Sequence, residues 1–428
     1  MAAPLADALD DNRRPGRFAG RLARLEPSPI REILSVIDRP GMISFAGGLP
    51  APETFPELDL APMPAKWLQY GPTEGDEELR RRLAEDLAAI GLACGPAQVL
   101  ILSGSQQGID LVAKLFIDPG TAVAVETPTY LAALQAFRLF GAAFLPLRRH
   151  QPAAALGAAP RPAFAYAIPT FQNPTGHCYD AAERAALAAA CDASGVPLFE
   201  DDPYRDLVYD DCVRTPVCAG LRRASWIYQG SFSKTLAPGL RLGFLAASPD
   251  LVPHLVRLKQ AADLHSSRIS QWYVLERLQD PGRRRRLAEV AAFYRRKRDV
   301  FAAALERHFA DLAQWQQPPG GLFFWLTLRQ GIDTRRLLPA AIERGVAFMP
   351  GEPFFPDRPQ ACGALRLNFS HAGDEQIERG LAVLADLARE SLASPPPAIR
   401  SGAAAAGDAA AGCATSASPR PGPRHPAG

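Results

Sequence analysis

Lysine is scarce in this chain: five lysines stand against 42 arginines. One of them, Lys234, lies between two hydroxyl residues in Ser231-Phe-Ser-Lys-Thr-Leu-Ala-Pro-Gly-Leu-Arg241. Apolar runs flank it, Trp226 to Gly230 before and Leu242 to Ala247 after, so the stretch predicts strand, tight loop, strand. A desolvated amine beside cationic groups is a Schiff-base nucleophile, because burial and like charge lower its pKa. Ser231, Ser233 and Arg241 are residue types that hold a phosphate. Amine and phosphate clamp together suit pyridoxal phosphate (PLP); an ordinary polar loop accounts for the same residues.

Other polar residues fall just past predicted strands. Val99 to Leu102 runs into Ser103-Gly104-Ser105, with a helix from Gln106 to Phe116. A strand–glycine–helix junction leaves backbone N–H groups and the positive helix end free for an anion. Tyr130 follows the strand Ala122–Glu126 and suits stacking on an aromatic ring, or the core. Asn173 precedes Pro174 at the end of Phe164–Ile168 and is held extended. Glu200, Asp201 and Asp202 close a buried strand that continues to Tyr204, a costly arrangement without a basic partner. A protonated pyridine nitrogen is one such partner.

These elements must be positioned by a frame. Strand–helix alternation from 99 to 247 predicts an α/β fold with a mainly parallel sheet, whose ligands gather at strand carboxyl ends. Ser105, Tyr130, Asn173, Asp201, Tyr204 and Lys234 converge there. Before it, Ser28-Pro29 caps a helix to Ile37, with Arg31 in the first turn, either solvated or aimed at an anionic substrate. Gly47-Gly48 permits close backbone approach to a ligand, and Tyr70 centres the loop Leu68–Gly75. Residues 148–161 read as a surface loop. Helices follow at 249–262, 266–278 and 283–308. Arg283 to Arg286 are four consecutive arginines, read as a solvated helix face. On the strand Ala364–Ser370, Arg366 shares a face with Asn368, opposite Leu365 and Leu367, and suits a carboxylate anchor.

At 428 residues the chain is long enough for two or three lobes. We divide it into an arm (1–20), a helix and strand of a small domain (21–50), a large domain (51–280), the rest of the small domain (281–393) and a disordered tail (394–428). A net charge of +2 makes no case for nucleic acid or an anionic membrane. Seven cysteines, without metal-ligand spacing, read as reduced cytosolic thiols, and no metal is expected. The absence of a transmembrane-length run or signal peptide points to a cytoplasmic protein.

The motifs S-P-I-R-E-I-L, I-S-F-A-G-G-L-P-A-P, L-Q-Y-G-P-T-E-G, S-G-S-Q-Q-G, F-Q-N-P-T-G, E-D-D-P-Y, G-S-F-S-K-T-L-A-P-G-L-R, D-L-H, F-M-P-G-E-P-F-F and L-R-L-N-F-S run in order from about residue 28 to 392. In these the chain resembles a fold-type I, PLP-dependent class I/II aminotransferase, of the branch containing 2-aminoadipate and kynurenine aminotransferases. The resemblance implies a large domain with a mainly parallel sheet flanked by helices, and a smaller α+β domain. It implies that Lys234 carries PLP and later shuttles the α-proton. Asp201 would pair with the pyridine N–H, Asn173 and Tyr204 would bond the ring oxygen, and Tyr130 would stack on the ring. Ser105, Gln106, Ser231, Ser233 and Arg241 would bind the phosphate, joined by Tyr70 from a second subunit of a homodimer. Arg366, with Asn173 and Gly48, would hold the substrate carboxylate, and Arg31 would read an acidic side chain.

Some features depart from the pattern. The segment between Phe55 and Gln69 is short, 148–163 lacks its usual helix, and Arg268 replaces a small or apolar residue. The related regulators carry a winged-helix domain before this fold; none precedes it here, so no DNA-binding role is expected. The expected activity is ping-pong transamination between an L-amino acid and a 2-oxo acid, with glutamate or 2-aminoadipate in view. The alternative is elimination, decarboxylation or cyclisation in specialised amino-acid biosynthesis.

Overall fold

The computed structural model of the chain describes residues 18–25, 39–330, 332–357, 359 and 361–393. Arg31 and the helix expected around it, the arm up to residue 17 and the tail from 394 lie outside the described residues.

Strand β1 (Ile43–Ser44) leads through two short 3-10 turns, Pro52–Thr54 and Ala65–Leu68, to helix α1 (Glu77–Ala89), capped by Asp76, whose carboxylate accepts from the Glu78 and Leu79 N–H groups. Then come β2 (Val99–Leu102), α2 (Ser105–Phe116), β3 (Ala122–Glu126), α3 (Leu131–Phe140), β4 (Ala143–Leu147), α4 (Pro152–Leu156), β5 (Ala165–Ala167), α5 (Ala181–Ser194), β6 (Leu198–Asp201), β7 (Trp226–Ser231) and β8 (Gly243–Ala247). Helices α6 (Val252–Asp263), α7 (Arg268–Gln279) and α8 (Arg283–Phe309) follow, then β9 (Ala313–Gln314), β10 (Phe323–Leu328), α9 (Leu337–Glu343), β11 (Val346–Ala347), β12 (Met349–Pro350), β13 (Ala364–Asn368) and α10 (Asp374–Ala393).

Seven strands form the main sheet in the order β2-β8-β7-β6-β5-β3-β4. Pairs among β7, β6, β5, β3 and β4 are parallel, and β8 runs antiparallel to both β2 and β7. Strands β2, β3, β5 and β6 are buried along their whole length, as apolar runs covered on both faces must be. A four-stranded sheet, β12-β13-β10-β9, and the parallel pair β1-β11 sit apart, packed by α8 and α10.

Three expectations are corrected here. Residues 148–161 are not all loop: Pro152 starts α4, a short helix whose Ala155 and Leu156 are buried. The stretch therefore keeps a helix, too short and alanine-rich to show periodicity. The arginine run at 283–286 is a solvated face only in part: Arg284 and Arg285 are exposed, but Arg283 and Arg286 turn inward. Arg283 Nη1 pairs with Asp86 at 2.7 Å, and Arg286 donates to the carbonyls of Thr54 and Thr235. Nor does β13 alternate in and out: all five residues are buried, Arg366 included.

Phe45 ties the N-terminal segment to the small sheet by backbone bonds to Ala347 and Asn368, and its ring stands edge-on to Phe301 of α8 at 5.3 Å. Helix α10 meets Phe45 through Gly380, where an added Cβ would come within 2.6 Å of the ring. Helix propensity favours alanine over glycine by about 1 kcal/mol, but overpacking a fixed ring costs about 1–3 kcal/mol. Gly380→Ala is therefore expected to lower the urea midpoint. An unchanged or higher midpoint would show that Phe45 yields freely.

No helix among the described residues is long and apolar enough to cross a membrane. No group of three His, Cys, Asp or Glu side chains among them is placed to hold a metal ion.

Candidate functional site

Strands β5, β6 and β7 lie side by side and parallel, so their carboxyl ends bring Asn173, Asp201, Tyr204 and Lys234 to one edge. The small sheet closes the recess from the other side with Arg366 on β13 and Phe323 on β10.

Asp201 is 3% exposed. Its carboxylate accepts from the Tyr166 hydroxyl at 2.8 Å and from Gln229 Nε2 at 2.9 Å. Both donors are neutral, and among the described residues no cation pairs with it. Burial raises its pKa to about 6, against the lowering effect of Gln229 and Tyr166. A buried carboxylate with neutral donors alone is expensive to ionise. It is suited to a ligand that brings its own N–H⁺.

Lys234 Nζ donates to the Gly48 carbonyl at 2.6 Å. Burial, then the positive charges of Arg366 and Arg241, lower its pKa to about 8. Gly48 leaves room for the ring: a Cβ there would sit 3.0 Å from Phe323 Cζ and 4.0 Å from Lys234 Nζ, so a larger residue would press on Phe323.

Arg366 is held in place from four sides. Nη1 donates to Asn173 Oδ1 at 3.0 Å and Nη2 to the Ala46 carbonyl at 2.6 Å. Its guanidinium lies 4.3 Å from the Phe323 ring centre and 5.0 Å from that of Phe354. Its Nε is buried without a partner. Burial lowers its pKa to about 10, so the cation is short of anionic company. Asn173 Nδ2 also donates to the Tyr204 hydroxyl at 3.5 Å.

The opposite end of the recess is the α2 N-terminus. Gly104 is its N-cap and supplies no side-chain bond to the first turn. Gly104 has φ +80°, and a Cβ there would meet Arg241 Nη2 at 2.5 Å. Arg241 takes a left-handed backbone at φ 45°, a strained state for a non-glycine residue that clusters at functional sites. Free N–H groups, Ser105, exposed Gln106 and a guanidinium together make an anion hole. Ser233 is buried beside it, its N–H bonded to Ser231 Oγ at 3.2 Å.

Beneath this turn lies a buried ionic network. Lys259, 0% exposed, bonds both Asp263 oxygens at 2.8 and 3.1 Å, Gln107 at 3.0 Å and Ser266 at 3.0 Å. Asp263 in turn accepts from Ser103 at 2.7 Å. The network ties the Ser103–Ser105 turn to the loop after α6.

Tyr130, half-buried, shares the electrostatic surroundings of Asp201, Arg366 and Arg241. Tyr70 stands apart: it is 77% exposed, with its ring edge-on to His265 at 5.6 Å. Arg268 lies 4.5 Å over the Trp67 ring and 3.6 Å from Asp76. It is packed into the wall beneath the Tyr70 loop. Sequence reasoning missed Tyr166, Gln229 and Phe323. Gln229 left a signal, a lone amide inside the apolar run Trp226–Gly230; Tyr166 and Phe323 are ordinary strand residues by type.

The recess thus offers an amine, a carboxylate without a cation and an anion hole. These fit a phosphorylated aromatic aldehyde with a basic ring nitrogen. In the apoprotein, Lys234 should react with an amine-selective acylating reagent with a midpoint near pH 8, well below exposed lysines at about 10.4. A midpoint near that of an exposed lysine would mean that the recess does not desolvate the amine.

The family model for aminotransferase class I and II matches residues 49–384 of the chain. A 2-aminoadipate transaminase from Thermus thermophilus is 39% identical over 383 residues, covering 86% of this chain and 94% of the relative. An aromatic-amino-acid aminotransferase from Thermococcus litoralis is 36% identical, covering 88% and 94%. Among solved structures, an α-aminoadipate aminotransferase from Thermus thermophilus, complexed with N-(5'-phosphopyridoxyl)-L-leucine, superposes with a TM-score of 0.79 at 37% identity, covering 88% of this chain and 98% of that one. The chain belongs to the class I and II aminotransferases.

Proposed function

We propose that this enzyme transfers the amino group of an acidic L-amino acid, glutamate or 2-aminoadipate, to a 2-oxo acid. Amino-group transfer between an amino acid and a 2-oxo acid, with PLP as cofactor, is the chemistry of its family. The observation that carries the residue assignment is the pairing of a desolvated Lys234 amine with a buried, cation-free Asp201 across one recess.

When bound, PLP supplies an electron sink for the negative charge left at the substrate Cα. Asp201 keeps the ring nitrogen protonated, and in doing so gains the cation that its buried carboxylate lacks. Lys234 Nζ would take the proton from the substrate Cα and deliver it to the carbon on the far side of the amino nitrogen; a pKa near 8 leaves part of the amine neutral at physiological pH. Arg366 binds the substrate carboxylate in plane, aligned by Asn173 and by the aromatic faces of Phe323 and Phe354. Asn173 and Tyr204 would hold the ring oxygen, and Tyr130 would lie against the ring. Ser105, Gln106, Ser231, Ser233 and Arg241 hold the phosphate. The Gly48 carbonyl orients the amine and lies beside the substrate's path.

The acidic preference rests on Arg31, at the position that reads the side chain in the aminoadipate branch, and on the 2-aminoadipate relative. Arg268 does not contribute, since it is engaged with Trp67 and Asp76. We further propose a homodimer. Leu68, Tyr70, Leu264 and Ile269 are exposed large apolar residues, and a second copy would cover them while receiving Tyr70 at its phosphate site. The proposed division is a large PLP-binding domain, 51–280, and a small domain from 21–50 and 281–393. A cytoplasmic location completes the reading.

Lys234→Ala is expected to lower turnover by at least about 10³-fold; substantial residual activity would sink the assignment. Arg366→Ala should lower kcat/KM by about 10²-fold, the loss of a charge-assisted pair of about 3 kcal/mol. The decisive measurement is the visible spectrum of the holoenzyme titrated with single amino acids. L-glutamate or L-2-aminoadipate should convert the cofactor to its amine form and release the matching 2-oxo acid. A spectrum that responds only to aromatic or basic amino acids overturns the acidic preference. Ammonia or carbon dioxide as product overturns transamination.

A further inference from the structure

Behind the Lys234 loop lies a second cavity of about 510 Å³, between α1, β7 and the start of α8. Lys234, Asp201, Asn173 and Arg366 do not line it. Its wall carries Arg82, Arg205, Arg277, Arg283, Arg284 and Arg286 against four aspartates, a surplus of two positive charges.

The pairing inside is incomplete. Asp86 is shared by Arg82 at 3.3 Å and Arg283 at 2.7 Å. Arg277 meets Asp280 only at 3.8 Å. Arg286 bonds no carboxylate among the described residues, only the Thr54 and Thr235 carbonyls. Burial lowers its pKa; Arg277 and Arg283 add to the effect, and Tyr273 and Asp280 oppose it. Three polar atoms of lining residues are buried without partners: Arg82 Nε, Arg277 Nε and Asp202 Oδ1. Asp202 is 3% exposed, and its other oxygen already accepts from Tyr228 at 2.9 Å and Arg205 at 3.2 Å. The lining therefore carries two more positive than negative charges, one of them at the exposed rim on Arg284, and one buried acceptor, Asp202 Oδ1, without a donor.

We propose that this cavity is a second binding site, for a small dicarboxylate that also carries a hydroxyl or amino group. Two carboxylates match the surplus charge and the planar guanidinium donors. The hydroxyl or ammonium donates to Asp202 Oδ1. Such an occupant also reaches the catalytic loop, because Arg286 grips the carbonyl of Thr235, the residue after Lys234. An anion that engages Arg286 weakens this grip, so occupancy is felt at the amine.

The test is calorimetric titration of the holoenzyme with L-malate, and with succinate as the same diacid without the hydroxyl. The active site also attracts dicarboxylates, so Arg366→Ala serves as the background that removes its anchor. There, L-malate should still bind once per subunit, about tenfold tighter than succinate, the worth of one hydrogen bond to a charged group. Arg277→Gln in the same background should weaken L-malate about tenfold. Where Arg277→Gln fails to fold, Arg284→Gln, at an exposed rim position, should weaken it measurably. No binding in the Arg366→Ala background, equal affinities for the two diacids, or affinity indifferent to these arginines would overturn the proposal. None of these outcomes bears on transamination itself, which the spectral titration reads separately.

Discussion

A carboxylate buried without a cation is the constraint from which the rest of the site follows. Asp201 can be kept in the fold only because two neutral donors, Tyr166 and Gln229, replace part of its lost hydration. Those donors come from β5 and β7, the two strands that flank β6. The parallel order β5-β6-β7 is therefore part of the chemistry, since it sets a donor on each side of one carboxylate. The same desolvation acts in the opposite sense on Lys234 and Arg366, lowering both pKa values. One recess holds an acid that resists ionising and an amine that resists protonating. A ligand with a basic ring nitrogen and a carboxylate relieves these strains together.

The three consecutive acids show how a strand gives neighbours different duties. Glu200 accepts from the Val217 and Cys218 N–H groups, at 3.1 and 2.8 Å. Asp201 faces the recess. Asp202 turns back towards Tyr228 and Arg205. Among the described residues, the basic partner expected for the whole triplet is bonded only to Asp202; backbone donors serve Glu200. Alternation of side chains along the strand forces this division.

Much of the frame was legible because its signals are local. The apolar runs of β2, β3 and β6 and the glycine turn at Gly104 each follow from a few adjacent residues. The convergence of Asn173, Asp201, Tyr204 and Lys234 followed from one global rule about parallel sheets. Three things were not legible. Helix α4 is five residues of proline, alanine and leucine, too short for a period. The arginines of α8 depend on what α1 and the Lys234 loop present to them, which no window of sequence contains. Arg366 looked like half of an alternating strand, but α10 and the main sheet's loops cover both faces. Buried partners such as Tyr166 and Phe323 fail for the same reason: their type is ordinary, and only the fold gives them a charge to face.

The exposed rim is built as deliberately as the recess. Leu264 has φ +62° and ψ −61°, a strained backbone for a branched residue, and its side chain is exposed. Strain of this kind persists only where the surroundings over-determine the chain. Here Asp263 is fixed by Lys259 and Ser266 by both Lys259 and Ser103, so Leu264 and His265 are clamped on each side. His265 then meets Tyr70, and the Tyr70–Gly71 turn rests on Arg268, which lies 2.6 Å from where a Gly71 Cβ would be. Arg268 is itself seated on Trp67. A continuous chain of contacts thus runs from Ser103, at the edge of the anion hole, to an aromatic ring in solvent. The buried lysine network therefore fixes the backbone on which this exposed ring stands, and the dimer proposed above would give the ring a surface to complete.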